Sequence, residues 1–504
     1  MKKTLFYPFS YSILSLNGHF SVLFMKISTS ELISVVSQFN PWWRGESIQD
    51  LPTWHRAAYQ ELESWLINPP APRAIFLSGA RQIGKTTLLL QAIDRLLKNG
   101  VKPGNILYVT FDHPLIKMSD IDTVLEAWRE REPKTDDLEY IFIDEAQFMR
   151  SWGTWIKHQV DFSKSRRIFF TGSATPIIEA DQESGVGRWY TIRLTTLSFY
   201  EYLQLKKIEL PPLPILKSLR ELFEWPQQEF YRVQELAVHY VGHFHEYLLR
   251  GGFPQTAQVE SITQAQRLLR EDIIDKVLKR DMTALFGVRR ILELEQTFLY
   301  LCMHDGGLLD MADLCSNLEV KRPTIQNYIH LLEATNLIYR LPPFGYGKDI
   351  LRAKYKIYLA DAAIAPAVLL KGKSILNDPE SLGVATETAV FKHLFARYYS
   401  QNVRFSYWRG NKDHEVDLVA QIGDQIIPFE VKYRSQHTNA KALKGLLELC
   451  QKKDIAHGYV VTKSLDDFGV MKNLPDIKTK IMHIPAPLLC YWMGESELRQ
   501  TYGF

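Results

Sequence analysis

The chain has 504 residues, 46% hydrophobic and 23% charged, with a formal net charge of +3. That length exceeds a single core and implies two to four domains, while the charge is too small to argue for nucleic acid or a membrane surface. No apolar run reaches the roughly 20 residues that span a bilayer, and the scattered cysteines Cys302, Cys315, Cys450 and Cys490 form no CxxC pair, so a reducing, cytoplasmic setting without zinc is expected.

Residues 1–24 read as an extension or disordered tail, because Ser, Tyr and Pro interrupt the apolar stretch that a signal peptide needs. A second methionine, Met25, opens an amphipathic helix, and residues 25–72 look helical and aromatic up to Pro69, Pro70 and Pro72. Over 73–202, near-continuous apolar strands alternate with helical patterns, which predicts a parallel sheet covered on both faces. Residues 203–290 are helix-rich. Residues 291–375 carry two short helices, a turn, a longer helix and a candidate wing, the pattern of a winged helix-turn-helix. A further α/β block occupies 376–504.

The stretch "GARQIGKTT" (79–87) follows an apolar strand and opens an amphipathic helix, as a phosphate-binding P-loop requires. Backbone amides of Gly79, Ala80, Arg81, Gln82, Ile83 and Gly84 would face phosphate oxygens at a helix N-terminus. Lys85 would reach the β- and γ-phosphates, with Thr86 on Mg²⁺ and Thr87 beside it. In "YIFIDEAQ", Asp144 leaves a buried strand to hold Mg²⁺, and Glu145 is placed to orient and deprotonate the attacking water. "FFTGSAT" offers Thr171 or Ser173 to sense the γ-phosphate, and Arg188 is a candidate positive charge for the transition state, in cis or from a neighbouring subunit of a homo-oligomer. A chance match would lack this order of strand, loop, helix, acidic pair and polar sensor.

Near the C-terminal end, "EVDLVAQIGDQIIPFEVK" (415–432) reads as two strands around a tight turn. Side chains alternate, so Glu430 and Lys432 share a face and Asp417 comes across from Glu430. With Glu387 on an upstream helix this is the pattern of PD-(D/E)XK nucleases. Asp417 and Glu430 would hold Mg²⁺ or Mn²⁺, and Lys432 would orient a water or stabilise a phosphate under attack. The bland alternative is a solvated charge pair in a charged loop.

Other clusters carry less. His239, His243 and His245 lack a further ligand for zinc. Trp152 and Trp155 fit a packed helix face. Lys321 and Arg322 start the candidate recognition helix, and Arg340, Lys348, Arg352, Lys354 and Lys356 would hold phosphates or form a solvated wing.

Taken with "NPWWR", "LSFYEY", "LLRGGFP", "KYKIYLAD" and "YWRGNKDHEVDLVA", these motifs resemble a widespread group of prokaryotic AAA-type P-loop ATPases with a helical middle region and a restriction-endonuclease-like ending. The resemblance spans roughly residues 38–465. It implies an α/β multidomain fold: a P-loop parallel sheet, a helical and winged-helix middle, and a nuclease-like C-terminal domain. "YLADAA" stands where members have Asp-Thr-Gly, so no role is inferred for Asp361. The leading expectation is an ATP-hydrolysing protein that cleaves nucleic acid, DNA favoured over RNA, with ATP and Mg²⁺ (or Mn²⁺ at the C-terminal site) as cofactors. The rival is a regulatory or remodelling ATPase with a non-cleaving nuclease-fold domain.

Overall fold

The computed structural model describes residues 28–135, 137–173, 187–345, 354–401, 403–410, 414–434, 440–472, 474 and 478–499. Residues 1–24, Lys348 and Arg352 lie outside the described residues.

Five strands, β1 (Ala74–Ser78), β2 (Ile106–Thr110), β3 (Glu139–Asp144), β4 (Arg166–Gly172) and β5 (Trp189–Arg193), form an all-parallel sheet in the order β2-β3-β4-β1-β5. They are apolar on both faces because helices cover both sides. Thr29–Phe39 and Ile121–Arg131 pack on one side, and Ala58–Ile67 and Lys85–Lys98 on the other. Strand β4 lies between β1 and β3, so the loops after all three open at one edge, where a doubly wound sheet takes ligands.

The helix Gln227–Arg250 then leads to a bundle whose segment Leu269–Asp281 is largely π-helical. Ile291–Met303, Met311–Leu318 and Arg322–Ala334 follow, and then an antiparallel pair, β6 (Ile338–Leu341) with β7 (Lys356–Leu359).

The C-terminal block is a mixed six-stranded sheet. Strands β8 (Arg404–Arg409), β9 (Glu415–Ile422) and β10 (Gln425–Lys432) run as an antiparallel meander. Beyond β10 lie β11 (His457–Thr462), parallel to it, then β13 (Lys480–Pro485) and the short β12 (Gly469–Val470). The helix Pro379–Tyr398 packs on β10, and Glu387 falls midway along it rather than in its first turns.

The ATPase-like sheet and this block are bolted together by buried polar groups. Lys392 donates to the Leu197 carbonyl, the Phe199 amide donates to His393 Nε2 at 2.7 Å, and Asp361 accepts from Thr196 Oγ1 (2.7 Å) and the Gly252 amide (2.9 Å). Asp361, to which the sequence assigned nothing, thus ties Thr196, just before "LSFYEY", and Gly252 of "GGFP" to "YLAD".

Candidate functional site

The P-loop curls between β1 and the helix Lys85–Lys98. A Cβ on Gly79 would meet the Leu194 carbonyl oxygen at 2.4 Å, and Gly84 takes φ +96°, which a side chain would strain. Arg56 fixes the loop from behind. Its guanidinium donates to the Ile83 and Thr195 carbonyls (3.0 Å each) and pairs bidentately with Glu201 at 2.9 and 3.2 Å. Glu201 in turn closes a capping box with Ser198. Lys85 is buried, and its ammonium folds back on the Gly79 (2.9 Å) and Ala80 (2.8 Å) carbonyls. Burial lowers its pKa, with Glu145 and Asp144 opposing.

Asp144 Oδ2 accepts from Thr86 Oγ1 at 2.8 Å and the Tyr108 hydroxyl at 3.0 Å, while Oδ1 accepts from Thr171. Thr171 also takes the Glu145 amide at 2.9 Å, holding Glu145 in a left-handed turn (φ +54°). Gln147 donates to the Glu145 carboxylate and to Ser173 Oγ. Burial raises the Glu145 pKa and Lys85 opposes the rise. The structure therefore brings together Lys85, Thr86, Asp144, Glu145, Thr171 and Ser173, and adds Arg56, Tyr108, Gln147 and Glu201, which the sequence reading did not single out. Thr86 and Asp144 fit Mg²⁺: a hydroxyl and a carboxylate, hard oxygen donors, at the mouth of a phosphate loop.

Two expected residues are placed elsewhere or differently. Arg188 precedes β5 beside Ala74, at the opposite edge of the sheet, roughly 13 Å of strand away from the loop, and it pairs with Asp161 at 2.9 Å. It is not a cis participant. Arg81, within the loop, pairs at 2.7 Å with Asp281, which is 1% exposed on the π-helical segment.

The C-terminal residues Glu387, Asp417, Glu430 and Lys432 also converge, but around a different occupant. Lys356 of β7, expected as a wing residue, is 3% exposed, and its ammonium sits 2.8 Å from Glu415, 3.2 Å from Asp417 and 3.3 Å from Glu387. Burial opposes its charge, but Tyr358, Glu387, Asp417 and Glu415 outweigh that and hold its pKa well above the usual value. The Tyr358 hydroxyl donates to Glu387 at 2.6 Å, and Asp417 accepts the Val431 amide at 2.8 Å. Lys432 pairs with Glu430, whose burial and proximity to Asp417 push its pKa up to about 8. Asp417 and Glu430 are each taken up by a lysine, so they do not fit the metal that their spacing suggested. Among the described residues, no group of three or more His, Cys, Asp or Glu side chains is arranged to hold a metal ion.

The remaining expectations resolve simply. His245 bonds the Tyr433 hydroxyl, with no metal geometry. Trp152 is core, packed on Phe170 and Trp189. Lys354 and Arg340 pair with Asp310 and Glu333. Lys321 and Arg322 are exposed at the start of their helix. Among the described residues, no helix is long and apolar enough to cross a membrane.

A family model described as "AAA domain" matches residues 71–203, which hold β1 to β5 and every group of the first site except Arg56. The chain carries an AAA-type P-loop domain. Models described as domains of unknown function match 241–374 (DUF8612) and 382–486 (DUF4143). An uncharacterized protein of Haemophilus influenzae is 27% identical over 71% of this chain and 82% of its own length. An uncharacterized protein of Methanocaldococcus jannaschii is 23% identical over 80% and 83%. Among solved structures, Aeropyrum pernix ORC1 in complex with DNA is similar at 12% identity and TM-score 0.27, covering 66% of this chain and 96% of that one. AMPPCP-bound DnaA from Aquifex aeolicus is similar at 14% identity and TM-score 0.23, covering 58% and 90%.

Proposed function

We propose that this chain is an ATP-hydrolysing switch that engages nucleic acid through its middle region, with a nuclease-fold C-terminal domain that does not cleave while Lys356 is seated in it. The observation that carries the ATPase half is the convergence of Lys85, Thr86, Asp144 and Glu145 on one edge of the sheet, with Thr171 bonded to both members of the acidic pair. Lys85 rests on two neutral carbonyls, so a phosphate, which carries full charge, is the better acceptor and draws the ammonium away. Thr86 and Asp144 would hold Mg²⁺, which when bound supplies positive charge to the phosphate oxygens. Glu145 accepts the proton of the attacking water once Gln147 releases its carboxylate, and Ser173 follows through the same glutamine.

Supporting nucleic-acid contact, the helix Arg322–Ala334 follows the helices Ile291–Met303 and Met311–Leu318 and precedes the β6–β7 pair, in the winged-helix order. Its N-terminal half exposes Lys321, Arg322, Gln326 and Asn327, donors suited to phosphates and base edges. The meander β8-β9-β10 with a parallel β11 is the sheet that a PD-(D/E)XK domain uses, and the lysine among its acids is what favours the non-cleaving reading. ATP turnover measured with and without added DNA or RNA tests the proposal. Turnover that depends on Lys85 and Glu145 and rises with nucleic acid is expected; turnover indifferent to both substitutions would sink it.

A further inference from the structure

Besides Lys85, the loop of residues 79–87 carries one charged side chain, Arg81. A phosphate loop works through its backbone amides and its lysine, and that chemistry does not call for an arginine. Arg81 has a partner from far along the chain: its Nη1 donates at 2.7 Å to Asp281, 200 residues away. Asp281 ends the π-helical segment Leu269–Asp281, whose Ile273, Ile274, Val277 and Leu278 are buried, so the carboxylate stands on a fixed support. Its neighbour Arg280 pairs at 2.7 Å with Asp112, just past the end of β2, where Thr110 lies opposite Asp144. Two adjacent residues of opposite charge thus tie this segment to the P-loop and to the strand beside the acidic pair. Arg81 and Asp281 border the nucleotide site. Lys85 rests on the carbonyl of Ala80, the residue before Arg81. Burial opposes the Arg81 charge, but Asp281, then Glu145 and Asp112, outweigh it and raise its pKa. Burial lowers the pKa of Lys85 against the pull of Glu145, Asp144 and Asp281.

We infer that Arg81 contacts the terminal phosphate of ATP and that Asp281, from the middle region, is the positioning residue that aims it there. This rests on the ATP-site reading above and names the pair that tells ATP from ADP at that site. Glu145 gives the direction. Its carboxylate serves the water that attacks the terminal phosphate, so a guanidinium within its electrostatic reach stands beside that phosphate rather than the inner ones. A guanidinium has more N–H donors than Asp281 takes up, and its planar fork leaves the others in a fixed direction. Arg81 differs here from Lys85, which rests on neutral carbonyls. The buried carboxylate has already removed the rotamer freedom that a long side chain on an open loop would lose on binding. The nucleotide site is therefore incomplete without the π-helical segment. A partner that displaced this segment would lower the preference for ATP and leave the loop able to hold ADP.

Displacement of a fluorescent ADP from the full-length chain, by ADP and by the non-hydrolysable ATP analogue AMPPCP, tests this directly. Asp281→Ala should weaken AMPPCP by about tenfold or more, the scale of a hydrogen bond to a charged group, with ADP little changed. Arg81→Gln should do the same, and the double variant should lose no more than either alone, because the pair acts as a unit. Asp272→Asn, which removes a charge from the partly exposed Asp272–Lys276 pair of the same segment, should match wild type. A folded Asp281→Ala chain that binds AMPPCP as wild type does would overturn the inference. So would an equal loss of ADP, since a merely structural role weakens both nucleotides alike. If Asp281→Ala does not fold, the double variant, which strands no buried charge, decides: undiminished AMPPCP binding there overturns the inference too. Lys85→Ala separates the two claims. Nucleotide binding indifferent to Lys85 would remove the ATP-site reading and this inference with it, whereas Lys85-dependent binding indifferent to Asp281 removes the inference alone.

Discussion

The two lysines at the two acidic sites make opposite bargains with their surroundings. Lys85 is buried against the neutral carbonyls of Gly79 and Ala80, while Lys356 is buried against three carboxylates. An ammonium-to-carbonyl hydrogen bond contributes about 1.5–3 kcal/mol, whereas stripping one partner from a buried charge cluster costs about 3–5 kcal/mol. Lys85 is therefore poised to leave for a phosphate, and Lys356 is held. The residue type is the same; the charge of its neighbours separates a lysine resting on neutral acceptors from one locked among carboxylates.

The largest expected effect breaks the first half of that comparison. Lys85→Ala should cut ATP turnover by at least about 100-fold, the scale of losing one preorganised charge on a transition state. Folding should be little changed, as steady-state phosphate release and a thermal melt would show together. Next, Lys356→Met should destabilise the chain by about 3–5 kcal/mol because three carboxylates lose their counter-charge. Restoring balance with Glu415→Gln in the same chain should recover part of it, and denaturant unfolding measures both. An unaffected midpoint would mean that the latch is not a latch.

Glu201→Gln tests the support behind the loop. Removing the charge that holds Arg56 should cost about 2–3 kcal/mol and weaken nucleotide binding, since Arg56 anchors the Ile83 carbonyl. A fluorescent nucleotide titration would separate that loss from a loss of catalysis. A subtler effect concerns Asp305, which burial, reinforced by Glu387, pushes up to about 7. The folded chain then binds this proton more tightly than the unfolded chain. Its contribution to stability is full below pH near 4 and is lost as the pH rises through 7. Asp305→Asn should flatten that stretch of the stability–pH curve. The smallest effect is at Arg188: its partly exposed pair with Asp161 should be worth under about 1 kcal/mol, and Arg188→Ala should leave single-chain ATP turnover intact.

The ATP site was legible in the sequence because local rules build it. Apolar strands ending in a glycine loop, and an acidic pair at the end of a buried strand, place Lys85, Thr86, Asp144 and Glu145 without knowledge of distant contacts. Glu387, Asp417, Glu430 and Lys432 were legible as a cluster for the same reason. What fills that cluster was not. Lys356 is 31 residues from Glu387 and 61 from Asp417 in sequence, and one basic residue among several near a hairpin carries no local mark of burial. Arg188 was misplaced because a motif list does not say which end of a strand a residue occupies; the parallel pairing of Ala74 with Trp189 decides it. Asp361 escaped notice because its partners are backbone and hydroxyl groups from three separate segments.

If this chain consumes ATP at one acidic site while the other stays latched, the two activities separate in a single reaction. The most direct measurement incubates wild-type chain with Mg²⁺, ATP and labelled single- and double-stranded DNA and RNA, following phosphate release and strand length in the same tube. Lys85-dependent phosphate release with every strand left whole is expected. Strand cleavage by the wild-type chain that vanishes in Asp417→Ala would contradict it.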